Sequence, residues 1–201
     1  MSRIILLNKP FGVLCQFRAS EGRKTLKDFI SSPSVYPAGR LDADSEGLVV
    51  LTADGALQNR ISAPEHKLLK TYFVEVEGVP TPAALDQLAA GIDLRDFITR
   101  PAQAAAIEEP TWLWPRQPPV RFRKSIPTSW IKISIAEGKN RQVRRMTAAV
   151  GLPTLRLIRH SVGDWDINGL PPGHCKEIEI SMPMPPQTSP QHRFTGTGRR
   201  R

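Results

Sequence analysis

The stretch "AGRLDADSEGLVVLTADG", Ala38 to Gly55, sets an arginine and three carboxylates directly before a run of apolar residues. Asp42, Asp44 and Glu46 stand two apart, and Arg40 precedes the first by two. "GLVVLT" is short and β-branched, which predicts a buried strand. Asp54 is then a helix cap, with Leu57 and Ile61 on one face of the helix and Pro64 closing it. Arg40 and Asp42 thus fall where a loop meets a buried strand, a place that can hold side chains rigidly.

The carboxylate spacing first raises the question of a cation. A helix-loop-helix calcium loop wants ligands at positions 1, 3 and 5, Gly at 6 and Glu at 12. Asp42, Asp44, Glu46 and Gly47 fit the start, but position 12 is Ala53 and positions 7 to 10 are the strand residues Leu48 to Leu51. The second half of the loop is missing, so no metal is expected. A solvated turn before the strand is the plain alternative, and Asp44 and Glu46 are read as turn residues.

Working outward, "RIILLNKPFGVLCQF" predicts two short strands around a Pro10–Gly12 turn, Ile4 to Leu7 and Val13 to Phe17. "KTLKDFI" predicts a short helix capped by Thr25. In "TYFVEVEG", Tyr72, Val74 and Val76 alternate with Glu75 and Glu77, the period of a half-buried strand. Thr81 and Pro82 open another helix, with Leu85 and Leu88 apolar and Gly91 at its end. "WIKISI" is a strand, and "EGKNRQVRRMTAAVG" a turn and helix capped by Asn140, with a Val143, Met146, Val150 stripe stopped by Gly151. "TLRLIRHSVGDWDINGLPPGHCKEIEI" reads as strand, turn, strand. Strands and helices in this order indicate an α+β domain with a mixed, largely antiparallel central sheet flanked by helices. The domain is expected over residues 1–181, with 182–201 a basic, disordered tail.

Charge narrows the partner. Residues 1–115 hold 12 Lys/Arg against 14 Asp/Glu, whereas residues 116–159 hold 11 against the single acid Glu137. Nearly all of the net charge of +9 therefore lies in one stretch, which favours a polyanion, nucleic acid before an acidic membrane surface. Cys15 and Cys175 lie far apart with no CxxC pattern, as in a reduced cytoplasmic protein. No apolar run approaches membrane length, and a monomer without membrane attachment is expected.

Four ordered motifs carry a resemblance. "GRLDADSEGLVVLTADG", "KPFGVLC", "KTYFVEVEG" and "EGKNRQVRRMTAAVGLPTLRLIRHSVGDWDINGLPPG" together resemble the RsuA-type pseudouridine synthases, from Ile4 to about Ile180. The resemblance implies a pseudouridine synthase fold with its cleft across the sheet. It also implies isomerisation of uridine within RNA: the N1–C1′ bond breaks, the base turns, and C5 joins C1′. The family's required aspartate maps onto Asp42, which would act on the ribose by attack at C1′ or by taking a C2′ proton. Arg144 maps onto the arginine that would hold Asp42 charged and aimed, since a carboxylate buried without a cation is costly. Tyr72 maps onto the tyrosine that would stack on the target base, and Val143 onto the apolar residue beside the uracil. Lys70 is expected to support the site, and Arg40 to replace the flipped base or pair with phosphates. Lys9, in the first motif, joins the substrate-binding candidates. Arg141 and Arg145 share a helical face with Arg144 at spacings of three and four, so all three could border an RNA groove. No cofactor is implied, because the reaction has no net oxidation or hydrolysis.

Most such enzymes carry an S4-type RNA-binding domain ahead of the catalytic part, and none is expected here. That makes the chain most similar to a short member acting on large-subunit ribosomal RNA, so the implied partner is 23S rRNA as a stem-loop or free RNA. RNA grip is then expected from the segment 108–129. Its Trp112, Trp114, Arg121, Phe122, Arg123 and Lys124 interleave aromatic and basic residues, as suits single-stranded RNA. The alternative for that segment is a proline-pinned structural hairpin. The alternative for the whole chain is a non-catalytic RNA-binding or ribosome-assembly protein, which would be expected to have lost Asp42, Tyr72 or Arg144.

Overall fold

The computed structural model describes residues 2–32, 34–63, 68–121 and 123–180. The expected closing Pro64, Phe122 and the expected basic tail therefore lie outside the described residues. Among the described residues the strands are β1 (Ser2–Lys9), β2 (Tyr36–Pro37), β3 (Glu46–Thr52), β4 (Lys70–Glu77), β5 (Gln103–Ile107), β6 (Thr128–Ile135), β7 (Thr154–Val162), β8 (Trp165–Asp166) and β9 (Cys175–Ile180). The helices are α1 (Gly55–Ser62), α2 (Pro82–Ala90) and α3 (Gln142–Ala149). The strands form one sheet in the order β5-β6-β4-β7-β3-β1-β9, with β2 beside β3 and β8 beside β7. Every named strand pair is antiparallel except β3 with β7.

Each face of the sheet is covered. On one face Leu7, Val49, Leu51, Val74, Ile133 and Leu157 pack with Leu88 of α2 and Val143 and Met146 of α3. On the other, Ile4, Leu6, Leu48, Val50 and Ile158 pack with Leu57 and Ile61 of α1. Strand alternation explains the division, since neighbouring residues of one strand enter opposite layers. Asp54 caps α1 as the sequence predicts, its carboxylate accepting from the backbone N–H groups of Ala56 and Leu57 at 2.9 and 3.1 Å. Thr81 caps α2, with Pro82 at the first turn and Gly91 at its end.

Two local expectations change, and one strand was not anticipated. Val13 to Phe17 is not a strand: Gly12 has φ +81°, and the segment bends into a loop joined to Thr25 by one bridge at Leu14. The helix expected in "KTLKDFI" shrinks to one tight turn, Leu26–Asp28. The alanine-rich β5 has no sequence period and poor strand propensity, and is held by its ladder to β6.

The one parallel pair among the named strands of the described residues fixes the architecture. β3 and β7 meet at only two register pairs, Glu46 with Ile158 and Gly47 with Arg159. Gly47 has φ +102°, and a Cβ there would lie 2.2 Å from the Arg159 carbonyl oxygen. Only glycine admits that backbone and that approach. Gly47→Ala is expected to destabilise the fold by about 3 kcal/mol or more, or to prevent soluble expression. Urea denaturation measures it, and a loss below about 1 kcal/mol would contradict the packing described.

Candidate active site

A cleft of about 520 Å³ opens on the face that carries α3. Its walls come from the loop before β3 (Arg40, Leu41 and Asp42), from β4 (Lys70 and Tyr72) and from the start of α3 (Arg141 and Val143), with Arg159 of β7 also lining it. That volume lies in the range of small-ligand pockets.

The loop is built to present Asp42. Ser45 N–H returns to the Asp42 carbonyl at 3.1 Å, and Gly12 N–H holds the Ala43 carbonyl at 2.7 Å. Asp42 is half exposed, with its Oδ2 3.5 Å from Nη1 of Arg141. Across the cleft, Tyr72 is 6% exposed and Val143 4%. The β7 register shifts between Thr71 and Tyr72, an irregularity of the kind that re-aims side chains beside sites. Lys70, two residues before Tyr72, is buried, donates to the Leu68 carbonyl at 3.3 Å, and is held below the ordinary lysine range by burial and by the charge of Arg159.

The three arginines of "RQVRR" divide. Arg141 clasps Asp44 with two hydrogen bonds, 3.1 and 2.8 Å, and its second neighbour is Asp42. Arg144 does not bond Asp42, contrary to expectation. Its Nη2 donates to the Asp44 carbonyl at 2.6 Å, and its Nε lies 3.5 Å from the Asp44 carboxylate. One helical turn beyond Arg141, it lies over the backbone of the loop rather than over its tip. Burial lowers the Arg144 pKa from the usual arginine value, while the charges of Asp44 and Asp42 oppose this. Arg145 turns away altogether, pairing with Asp96 and donating to the Leu94 carbonyl at 2.7 Å. It therefore does not border the cleft. Asp44 is more than a turn residue: burial raises its carboxyl, but the bonds and charges of Arg141 and Arg144 outweigh this and hold it below the usual range.

Glu46 is likewise no turn residue. It begins β3 at 1% exposure and accepts two bonds from Arg156, 2.8 and 2.9 Å, and one from Trp114 Nε1 at 2.9 Å. Position in β3 is the one signal that could have marked it, since the alternation that buries Leu48 and Val50 extends back to Glu46. Trp112 packs edge-on to Phe73 and beside His160, on the layer opposite Tyr72. Both tryptophans thus brace the sheet, as in the hairpin alternative, and neither is a free stacking platform. Arg121, Arg123 and Lys124 are exposed and do not line the cleft, and Arg123 pairs with Glu77 at 3.0 Å. Arg159 was not anticipated. It is 3% exposed, donates to the Leu48 carbonyl at 2.8 Å, and its Nη2 has no protein partner.

Lys9 does not line the cleft. It is fully buried, and its ammonium donates to the carbonyls of Pro10 and Val13 at 3.0 and 2.9 Å, tying down the loop beside the cleft. Among the described residues no group of three His, Cys, Asp or Glu side chains is placed to hold a metal ion, and no helix is long and apolar enough to cross a membrane.

With the cleft, its aspartate and its arginines in place, comparison supplies the class. Residues 3–149 match the RNA pseudouridylate synthase family, and the chain belongs to that family of RNA-modifying isomerases. It is 56% identical over 178 residues, 89% of this chain and 76% of the relative, to ribosomal large subunit pseudouridine synthase E of Vibrio vulnificus (strain CMCP6). It is 56% identical over 171 residues, 84% of this chain and 90% of the relative, to the synthase of the same name from Xanthomonas axonopodis pv. citri (strain 306). A crystal structure of a pseudouridylate synthase superposes with a TM-score of 0.73 at 29% identity, over 89% of this chain and 71% of that one.

Burial pushes Lys9 down from 10.5 to about 8. Between those values the folded protein binds fewer protons than the unfolded chain, so this lysine makes stability rise with pH across the window. Relative to Lys9→Met, wild-type protein is expected to gain about 2 kcal/mol between pH 8 and pH 10. Urea denaturation at the two pH values checks the difference, and a constant offset would contradict it.

Proposed function

We propose that this protein converts a uridine of large-subunit ribosomal RNA to pseudouridine in the bacterial cytoplasm, acting as a monomer and without a metal or other cofactor. What supports the reading most is one juxtaposition: the Asp42 carboxylate stands in a cleft whose other walls are the Tyr72 ring, the Val143 side chain and the Arg141 guanidinium. The name shared by the most similar relatives above supports the choice of RNA.

The chemistry follows from what each group can do. A uridine inside a strand is stacked, so it must be extruded to reach a cleft, at a cost of a few kcal/mol that is least in loops and bulges. Arg40, exposed at the rim, and Arg141 contact the backbone or the gap left in the stack. Exposed Arg121, Arg123 and Lys124 extend the basic surface for phosphates. Tyr72 lies flat against the extruded uracil and Val143 closes its other side, which excludes water from the detached base. Asp42 faces the ribose, where either attack at C1′ or removal of the C2′ proton frees N1. The base turns, C5 bonds to C1′ as the Asp42–C1′ bond breaks or as Asp42 returns the proton to C2′, and the C5 proton leaves to solvent, directly or relayed through the Tyr72 hydroxyl. Arg144, bonded to the loop backbone, keeps Asp42 at its height, and Lys70 and Arg159 supply positive charge beneath it.

Wild-type protein is expected to release tritium from C5-tritiated uridine in an unmodified large-subunit ribosomal RNA transcript. Asp42→Asn is expected to slow release by about a thousandfold or more while RNA affinity stays within about threefold. Equal release by both proteins would remove Asp42 from the chemistry. Pseudouridine mapping of ribosomal RNA from cells lacking the protein locates the position, and an unchanged map would refute the substrate.

A further inference from the structure

Asp44 takes no part in the scheme above, yet it has more charged contacts than any other side chain of the loop. It receives a two-point clasp from Arg141 at 3.1 and 2.8 Å, the Nε of Arg144 at 3.5 Å, and, through its carbonyl, the Nη2 of Arg144 at 2.6 Å. The same Nη1 of Arg141 that bonds Asp44 lies 3.5 Å from Asp42, at the outer limit of a hydrogen bond. Arg141 itself has φ +47°, a left-handed backbone that ordinary side chains avoid, and makes the first residue before α3. Its guanidinium is thus brought to the loop by the backbone and divided there between two carboxylates.

We infer that Asp44 is a positioning residue for the reaction: it draws Arg141 to one side, so that the arginine lends its charge to Asp42 without closing on it. This deepens the reading of Asp42 given above and rests on it. The physical reason is competition. A carboxylate gripped at both oxygens by a guanidinium is a poorer nucleophile and a weaker base than one touched at the edge, because the lone pairs that must reach the ribose are engaged. Arg141 is half exposed, so water screens the clasp and does not freeze it, and the division is set by which carboxylate offers the better geometry. Asp44 offers two aligned acceptors and Asp42 one distant one. Remove the charge at 44, and the arginine has a single anionic partner left within reach.

That competition gives a sign that a merely structural Asp44 would not produce. Asp44→Asn is expected to lower kcat about tenfold, with KM changed by less than about threefold. Adding Arg141→Gln to Asp44→Asn is expected to raise kcat again, to about the level of Arg141→Gln alone, because the intruding guanidinium is gone. Asp44→Glu is expected to retain most of the turnover. Asp44→Ser, which keeps a turn-forming side chain, is made alongside and is expected to behave as Asp44→Asn. Near-ultraviolet circular dichroism and thermal melting establish which variants are folded before turnover is compared. The assay is tritium release from the unmodified large-subunit ribosomal RNA transcript at saturating RNA.

A double variant as slow as Asp44→Asn, or slower, overturns the inference, as does an Asp44→Asn protein with wild-type kcat. The underlying reading fails separately: if Asp42→Asn turns over like wild type, the carboxylate being protected has no role. If Asp42→Asn is inactive and the double variant shows no recovery, the inference alone is refuted.

Discussion

The site depends on a contact between two strands that run the same way. β3 and β7 touch over two register pairs, yet β3 carries the Asp42 loop at its start and β7 follows α3, which carries Arg144 and is preceded directly by Arg141. If that contact slipped by one residue, the loop and the helix would no longer meet across the cleft. Three features prevent a slip. Gly47 lets the backbone of β7 pass where a side chain would stand. Arg159 reaches across to the Leu48 carbonyl. Glu46 and Arg156, at 1% and 3% exposure, satisfy each other with two bonds. A buried ion pair adds little net stability because desolvation offsets its attraction. Its value here is discrimination, since any other register leaves two unpaired buried charges.

The same pair links the site to the far side of the sheet. Trp114 donates its ring N–H to Glu46 and lies under the Arg156 guanidinium, 5.5 Å from ring centroid to Cζ. The proline-rich segment before β6 is therefore a brace, anchored at Glu46 and packed against Phe73 and His160. His160 sits in this aromatic layer with its pKa lowered, chiefly by burial. The two tryptophans that read as part of an RNA platform by composition hold the back wall in place instead. Basic side chains interleaved with tryptophan look alike in sequence whether the ring faces nucleic acid or a neighbouring strand.

What was legible follows from periodicity and local chemistry. The β4 alternation, the Asp54 and Thr81 caps and the buried run of β3 each rest on a few neighbouring residues, and each is as the sequence implies. The motifs brought Asp42, Tyr72, Val143, Lys70 and Arg141 to one cleft, because their order along the chain carries the topology. The missing parts are long-range. Nothing near Glu46 in sequence marks it as the partner of Arg156, 110 residues away. Lys9 reads as a substrate-binding candidate beside a proline, and only the closure of its own loop shows that its ammonium is enclosed. Spacings of three and four put Arg141, Arg144 and Arg145 on one side of an ideal helix, but the helix begins at Gln142. Arg141 is therefore aimed by the loop and not by helical geometry.

That displacement of the helix start has its own cause. Asn140 is the better capping residue by type, yet α3 has no side-chain cap, and Gln142 instead braces the turn before it: its Oε1 accepts from the Lys139 N–H at 3.0 Å, and its Nε2 donates to buried Glu137 at 2.6 Å. Glu137 also accepts the Arg100 N–H at 2.9 Å, which fixes the turn from behind. With Lys139 and Gln142 so pinned, the chain between them must turn left-handed at Arg141, at a cost of ~1 kcal/mol for a residue with a side chain. From that left-handed turn the Arg141 guanidinium reaches the Asp42 loop. Local helix stability yields to the site, and the strain falls on a residue whose side chain, like that of Arg144, reaches the loop before β3.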